Sequence, residues 1–189
     1  YIVCATFVPA IRRSEYFAQI EHFIVDIDHL SDKQLNAESL KQTLSQDSRV
    51  MMCFISPSGD GIKLLFKLKE RCYDKEIYRI FYRTFAERFA SQYGISQVID
   101  KRTCDVTRAC FMSADVRAYL NLEATPVSIT DYINTDNTLE LLDKKKAYER
   151  IDATENKQIE PITKPNQDAI EKIKEILQLR CKPKIQREI

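Results

Sequence analysis

RVMMCFISPSGDGIKLLFKLK, residues 49–69, decides the fold. Its first part, RVMMCFI at 49–55, is a nearly continuous apolar run, the pattern of a buried strand. Its last part alternates, with Ile62, Leu64, Phe66 and Leu68 on one face and Lys63, Leu65, Lys67 and Lys69 on the other. SPSGDG at 56–61 is a loop by composition and holds two of the chain's 3 glycines. The stretch therefore predicts a β-hairpin with a long, glycine-bearing loop.

The flanking segments extend this into a sheet with helices. HFIVDIDHL, residues 22–30, predicts a strand over 22–28, with Phe23, Val25 and Ile27 alternating with His22, Ile24, Asp26 and Asp28. Residues 36–46 have helical composition. Residues 74–93 carry the strongest helical period: Ile77, Phe81, Phe85 and Phe89, supported by Ile80, with Gly94 as the stop. Residues 1–8, 97–100 and 109–113 read as short strands, and 9–19 as a helical turn carrying Arg12 and Arg13. From 127 on, SITDYINT and LELLDKKKAYER read as peripheral helices. The expected organisation is a domain over 1–150, a polar linker over 151–167, and a C-terminal helix within 168–189 that begins a further module. Composition alone gives an α+β class.

Of 189 residues, 44% are apolar and 30% charged, which suits a globular protein with a real core. No apolar run approaches the roughly 20 residues of a membrane helix, so no membrane partner is expected. The net charge of +1 argues neither for nor against nucleic acid. The 6 cysteines form no CxxC pair and read as reduced thiols of a cytoplasmic protein, with a zinc site on Cys104 and Cys110 as the rival reading.

Three segments carry chemistry. Asp26 and Asp28 share one face of a strand, and two carboxylates that close repel unless a cation joins them. A divalent metal held by hard oxygens is the natural choice. In SPSGDGIK, Ser56 and Ser58 offer hydroxyls, and Gly59, Asp60 and Gly61 lie in a loop whose amides could cradle an anion. Lys63 stands at the loop exit. This is no Walker A motif, because a strand follows and no Ser or Thr succeeds the lysine. In VIDKRTCDVTRACFMS at 98–113, Asp100 ends one short strand and Arg108, a forked phosphate binder, opens the next. Asp105 is the rival to Asp100, but its mid-loop place suits a turn.

This order of segments resembles the archaeo-eukaryotic primase superfamily, the primase-polymerases, over about residues 1–125. IVDID, SPSGDGIK and DVTRACFMSAD look closest to the VirE-N-type primase-like domains and the CRISPR-associated primase-polymerases. The resemblance implies an RRM-like sheet unit plus a second small α/β unit, with the active site between them. It implies two magnesium or manganese ions on Asp26, Asp28 and Asp100. It further implies a nucleoside triphosphate on Ser56, Ser58, Gly59, Asp60, Gly61, Lys63 and Arg108. Many members of the superfamily have histidine where this chain has Lys63.

The expected activity is a DNA-dependent nucleotidyl transfer that makes or extends primers on a single-stranded template, using NTPs or dNTPs. Other domains of a longer chain are expected partners. Lys67, Arg12, Arg13 and Arg117 are weaker candidates for strand or nucleotide contacts. Three rivals remain: a two-metal nuclease, a nucleic-acid-binding module on an RRM-like sheet, and a catalytically degenerate primase homologue.

Overall fold

The structure, a computed structural model, describes residues 1–158, without the side chains of 101, 102 and 155–158. The C-terminal helix predicted within 168–189 and the linker beyond 158 lie outside the described residues. The chain divides into two compact units, the first Tyr1–Lys145, the second beginning at Lys146. The sheets and the site all belong to the first.

The hairpin forms. Strands β4 (Val50–Ile55) and β5 (Ile62–Cys72) pair antiparallel, with Ile55 opposite Ile62 and Cys53 opposite Leu64. Strand β3 (Phe17–Ile27) pairs with the other side of β5 and is longer than its alternating segment predicted. Short strands β2 (Ala5–Phe7) and β7 (Tyr119–Leu120) complete a five-stranded sheet in the order β2-β3-β5-β4-β7. A separate two-stranded sheet joins β1 (Ile2–Val3) to β6 (Ala109–Cys110). The strand expected over 1–8 is thus split at Cys4, and its halves serve different sheets. Those expected over 97–100 and 109–113 shrink to a single bridge, Ile27 to Ile99, and to β6. Apolar runs this short cannot hold a ladder without a long neighbour.

Helix α1 (Ala37–Leu44) starts at Asn36, whose side chain accepts from the Ser39 N–H. Helix α2 (Lys75–Tyr93) starts at Asp74, whose carboxylate accepts from the Glu76 and Ile77 N–H groups. It ends at Gly94, left-handed at φ 68°, whose N–H donates back to the last turn. Its aromatic stripe meets the face of β3 and β5 that carries Phe23 and Phe66. The Phe85 ring centroid lies 4.9 Å from both Phe23 and Phe66, and Phe81 and Phe89 flank it. Tyr78 and Tyr82 widen the stripe, both buried, while Ile77 stays at its margin.

The segment read as a peripheral helix, SITDYINT at 128–135, and Val127 just before it contribute to the core. Sheet partner β4 begins opposite Phe66, so the later residues of β5 are open on that side. Val127 fills the opening: it bridges Leu68, donates to Lys67 O and accepts from Lys69 N–H. A 3₁₀ turn at Ile129–Asp131 follows, Val127, Ile129 and Ile133 are buried, and Tyr132 packs on Phe81 and Phe85. Helix α3 (Thr138–Gln158) runs past the predicted helix into the stretch read as linker. The turn expected around Arg12 and Arg13 forms one step later, at Ser14–Tyr16. The molecule is thus mixed α+β with a mainly antiparallel sheet and three α-helices among the described residues.

Candidate nucleotide and metal site

The site is built at the C-terminal end of β3. Because Ile27 bridges Ile99 antiparallel, Asp26 faces Asp100 across that bridge and Asp28 faces Val98. Two backbone bonds fix the register: Asp100 N–H donates to Asp26 O (2.8 Å) and Asp28 N–H donates to Val98 O (2.9 Å). Ile27 and Ile99 turn inward and are buried. By the two-residue period of extended chain, Asp26, Asp28 and Asp100 share the opposite face. Fold, not sequence, makes Asp100 their neighbour.

Asp100 is also held from behind. Tyr82 donates its hydroxyl to Thr103 Oγ1, and Thr103 donates its own to Asp100 O (2.9 Å); Ile24 O, 3.1 Å from the Tyr82 oxygen, is the alternative acceptor for the Tyr82 hydroxyl. The α2 stripe therefore positions the third aspartate as well as filling the core.

Two cations face the three carboxylates. Lys63 stands directly opposite Asp26 in the β3–β5 ladder. Its Nζ hydrogen-bonds Asp26 Oδ1 and lies 3.7 Å from Asp28 Oδ1. Both Lys63 and Asp26 are buried. Burial pushes the Asp26 carboxyl above its ordinary range, the Lys63 ammonium pulls it back, and the charges of Asp28 and Asp100 push it up again. Arg108 Nη2 lies 3.6 Å from Asp100 Oδ2. The lysine expected to await a phosphate at the loop exit thus sits in the place of a cation between Asp26 and Asp28.

The hairpin loop packs tightly against this cluster. Gly61 is required by space: a Cβ there would come within 2.5 Å of Ile27 O, 2.6 Å of Asp28 Oδ1 and 2.9 Å of Ser56 Oγ. Two of the amides expected to form a cradle over 58–61 are already engaged within the loop. Gly59 N–H donates to Ser56 O, and Asp60 N–H donates to Ser58 Oγ. The Asp60 carboxylate clamps the loop: it accepts from the Ser31 N–H (2.8 Å) and hydroxyl (2.9 Å). Gly59, at φ 77°, serves the turn. What the loop offers the site is the Ser56–Ser58 hydroxyl pair, 2.9 Å apart.

A cleft of about 890 Å³ opens beside these groups, and Asp100, Gly59, Asp60 and Gly61 are not among its lining residues. Asp26, Asp28, Ser56, Ser58, Lys63 and Arg108 line it, and Phe111, Met112 and Arg12 stand on its walls. Asp105 also reaches the cleft, but its carboxylate accepts from the Thr107 N–H and hydroxyl and so closes a turn. Of the weaker candidates, Arg12 stacks over the Tyr1 ring at 5.6 Å, Arg13 pairs with Glu15, and Lys67 lies opposite His22. Arg117 pairs with Glu38 on α1.

The donor set suits a hard divalent cation in kind, since three carboxylates share one face. As placed, no three His, Cys, Asp or Glu side chains among the described residues converge as a metal-holding group. Lys63 and Arg108 lie against the carboxylates, so a metal would displace them. The same finding leaves the zinc reading of Cys104 and Cys110 without a partner set among the described residues.

Sequence reasoning missed one hub. Asp115 accepts from the Ile55 N–H (3.0 Å), the Arg117 N–H (2.9 Å) and the Lys41 ammonium (2.9 Å), and Glu38 lies 3.3 Å from Lys41. These bonds hold the Asp115 carboxyl down at about 2, against the opposing effect of burial. They tie the 113–117 segment to the hairpin. The readable signal was Lys41, three residues before Leu44 on the buried side of α1, where a lysine needs a partner.

Residues 1–120 match the family described as BT4734-like, N-terminal domain, and the chain belongs to that family. No curated protein and no solved structure matches the chain. No helix among the described residues is long and apolar enough to cross a membrane.

Proposed function

We propose that the chain is a template-directed nucleotidyltransferase of the primase-polymerase kind, joining nucleotides to a strand on single-stranded DNA. One observation carries the reading: three aspartates share one face with Lys63 and Arg108 lying against them, and Asp26, Asp28, Lys63 and Arg108 open on one cleft. That arrangement is suited to exchange. A metal–triphosphate complex brings both a cation for the carboxylates and anions for the lysine and arginine. Buried Asp26 has a cation beside it before binding and again after it, so its charge is not left stranded in a buried place.

The element order supports the same reading. Strand β3, helix α1, strands β4 and β5, helix α2 and the Ile99 segment follow a βαββαβ order, with β3 and β5 central. This is the order of an RRM-like unit. The two-stranded β1–β6 sheet is the counterpart of the second small unit.

In the reaction, a 3′-hydroxyl attacks the α-phosphorus of the incoming nucleotide and pyrophosphate leaves. Two magnesium or manganese ions on Asp26, Asp28 and Asp100 would lower the pKa of the attacking hydroxyl and offset the charge of the leaving group. Lys63, released from Asp26, and Arg108, released from Asp100, hold the phosphates. Arg108 supplies directed donors and Lys63 a mobile point charge. Ser56 and Ser58 donate hydroxyl hydrogen bonds to phosphate oxygens. Catalysis by this chain is chiefly positioning and charge neutralisation.

The test is incorporation of labelled NTPs and dNTPs on primed and unprimed single strands, with magnesium or manganese. The wild type extends the strand, and Asp26→Ala/Asp28→Ala does not. Shortening of the strand in place of extension would assign a nuclease. Metal-independent strand binding with no incorporation would assign a binding module.

A further inference from the structure

The lining of the cleft is chemically mixed. Asp26, Asp28, Lys63 and Arg108 are charged. Phe111 and Met112, two consecutive large apolar side chains, are exposed to 68% and 53% of their surface. A single exposed phenylalanine needs no explanation. An aromatic and a thioether side by side on the wall of a polar cleft do, because a ligand site pairs apolar surface with a few polar groups.

We propose that Phe111, backed by Met112, is the platform on which the base of the bound nucleotide stacks. This rests on the nucleotidyltransferase reading above and assigns the base side of the same site. Two observations favour a nucleotide over other occupants. The ligand must be anionic at one end, to meet Lys63 and Arg108, and flat and apolar at the other. The two ends must also lie close. Phe111 follows Arg108 by three residues, at most about 10 Å of chain, within reach of a sugar and its phosphates. Aromatic stacking accepts any base, because every base has a π-face, and so suits an enzyme whose template chooses the nucleotide.

The experiment uses the full chain and a fluorescent nucleotide, 2-aminopurine riboside triphosphate, whose emission is quenched on stacking. Inorganic tripolyphosphate, which has no base, serves as the control ligand. Phe111→Ala is expected to weaken binding of the fluorescent nucleotide about 10- to 100-fold and abolish the quenching. Tripolyphosphate binding should be unchanged, and Phe111→Tyr should restore the nucleotide affinity. Equal nucleotide affinity in Phe111→Ala and wild type overturns the platform while leaving the phosphate site standing. If Phe111→Ala loses only binding of a 2-aminopurine-containing single strand, the wall serves the strand and the proposal fails. A wild type that binds neither ligand overturns the phosphate site and the platform together.

Discussion

At the residue scale the decisive feature is Lys63. It lies opposite Asp26 in the ladder and touches both aspartates of the DxD pair. Its apolar neighbours on β5 made the strand legible, but nothing in the sequence showed where its ammonium would rest. Register placed it, and register depends on the whole hairpin. Lys63→Ala is expected to destabilise the fold by about 1–3 kcal/mol, because Asp26 is left buried without its cation. Adding Asp26→Ala should recover part of that loss, so urea titrations of the two single variants and the double variant will not add. Gly61 was legible only as a loop glycine; its close approach to Asp28 came from the fold. Gly61→Ala should cost about 1–3 kcal/mol by overpacking and reduce incorporation along with stability. Asp115 carries a pH signature. Its carboxyl is lowered from 3.8 to about 2 in the folded protein, so its contribution is complete above 3.8. That contribution is lost as pH falls through 3.8 toward 2. Unfolding free energies of wild type and Asp115→Asn should therefore converge over that range, and curves that stay parallel would contradict the hub.

At the element scale, α2 does two jobs. Its Phe stripe was readable from a four-residue period, and the structure packs it on Phe23 and Phe66. Phe85→Ala should cost about 3–5 kcal/mol, since the ring touches both sheet phenylalanines. Its second job was not readable. Tyr82 reaches Thr103, and Thr103 holds the backbone of Asp100, a link made across distant segments. Tyr82→Phe should lower incorporation more than it lowers the melting temperature, which separates positioning from core packing. The short elements were the least legible. Segment 97–100, read as a strand, keeps only one bridge, and Val127 joins the core because β5 runs on beyond Phe66, where β4 begins. The Asp60 side chain was not readable for a related reason: in a loop, the sequence does not show whether a carboxylate faces the cleft or clamps Ser31.

At the scale of the whole molecule, the α+β class and the central hairpin were legible because long alternating and periodic segments dictate them. The site was legible as three separate motifs. Their meeting was not, because it depends on one bridge, Ile27 to Ile99, and two backbone bonds. The central claim is that this bridge makes Asp100 part of the same chemical site as Asp26 and Asp28. The measurement that bears on it most directly is the nucleotide incorporation rate of Asp100→Asn, with its folding checked by thermal melting. A fall of about 100-fold or more is expected, matching Asp26→Asn, with the melting transition largely preserved. A folded Asp100→Asn protein that incorporates nucleotides at the wild-type rate would contradict that claim.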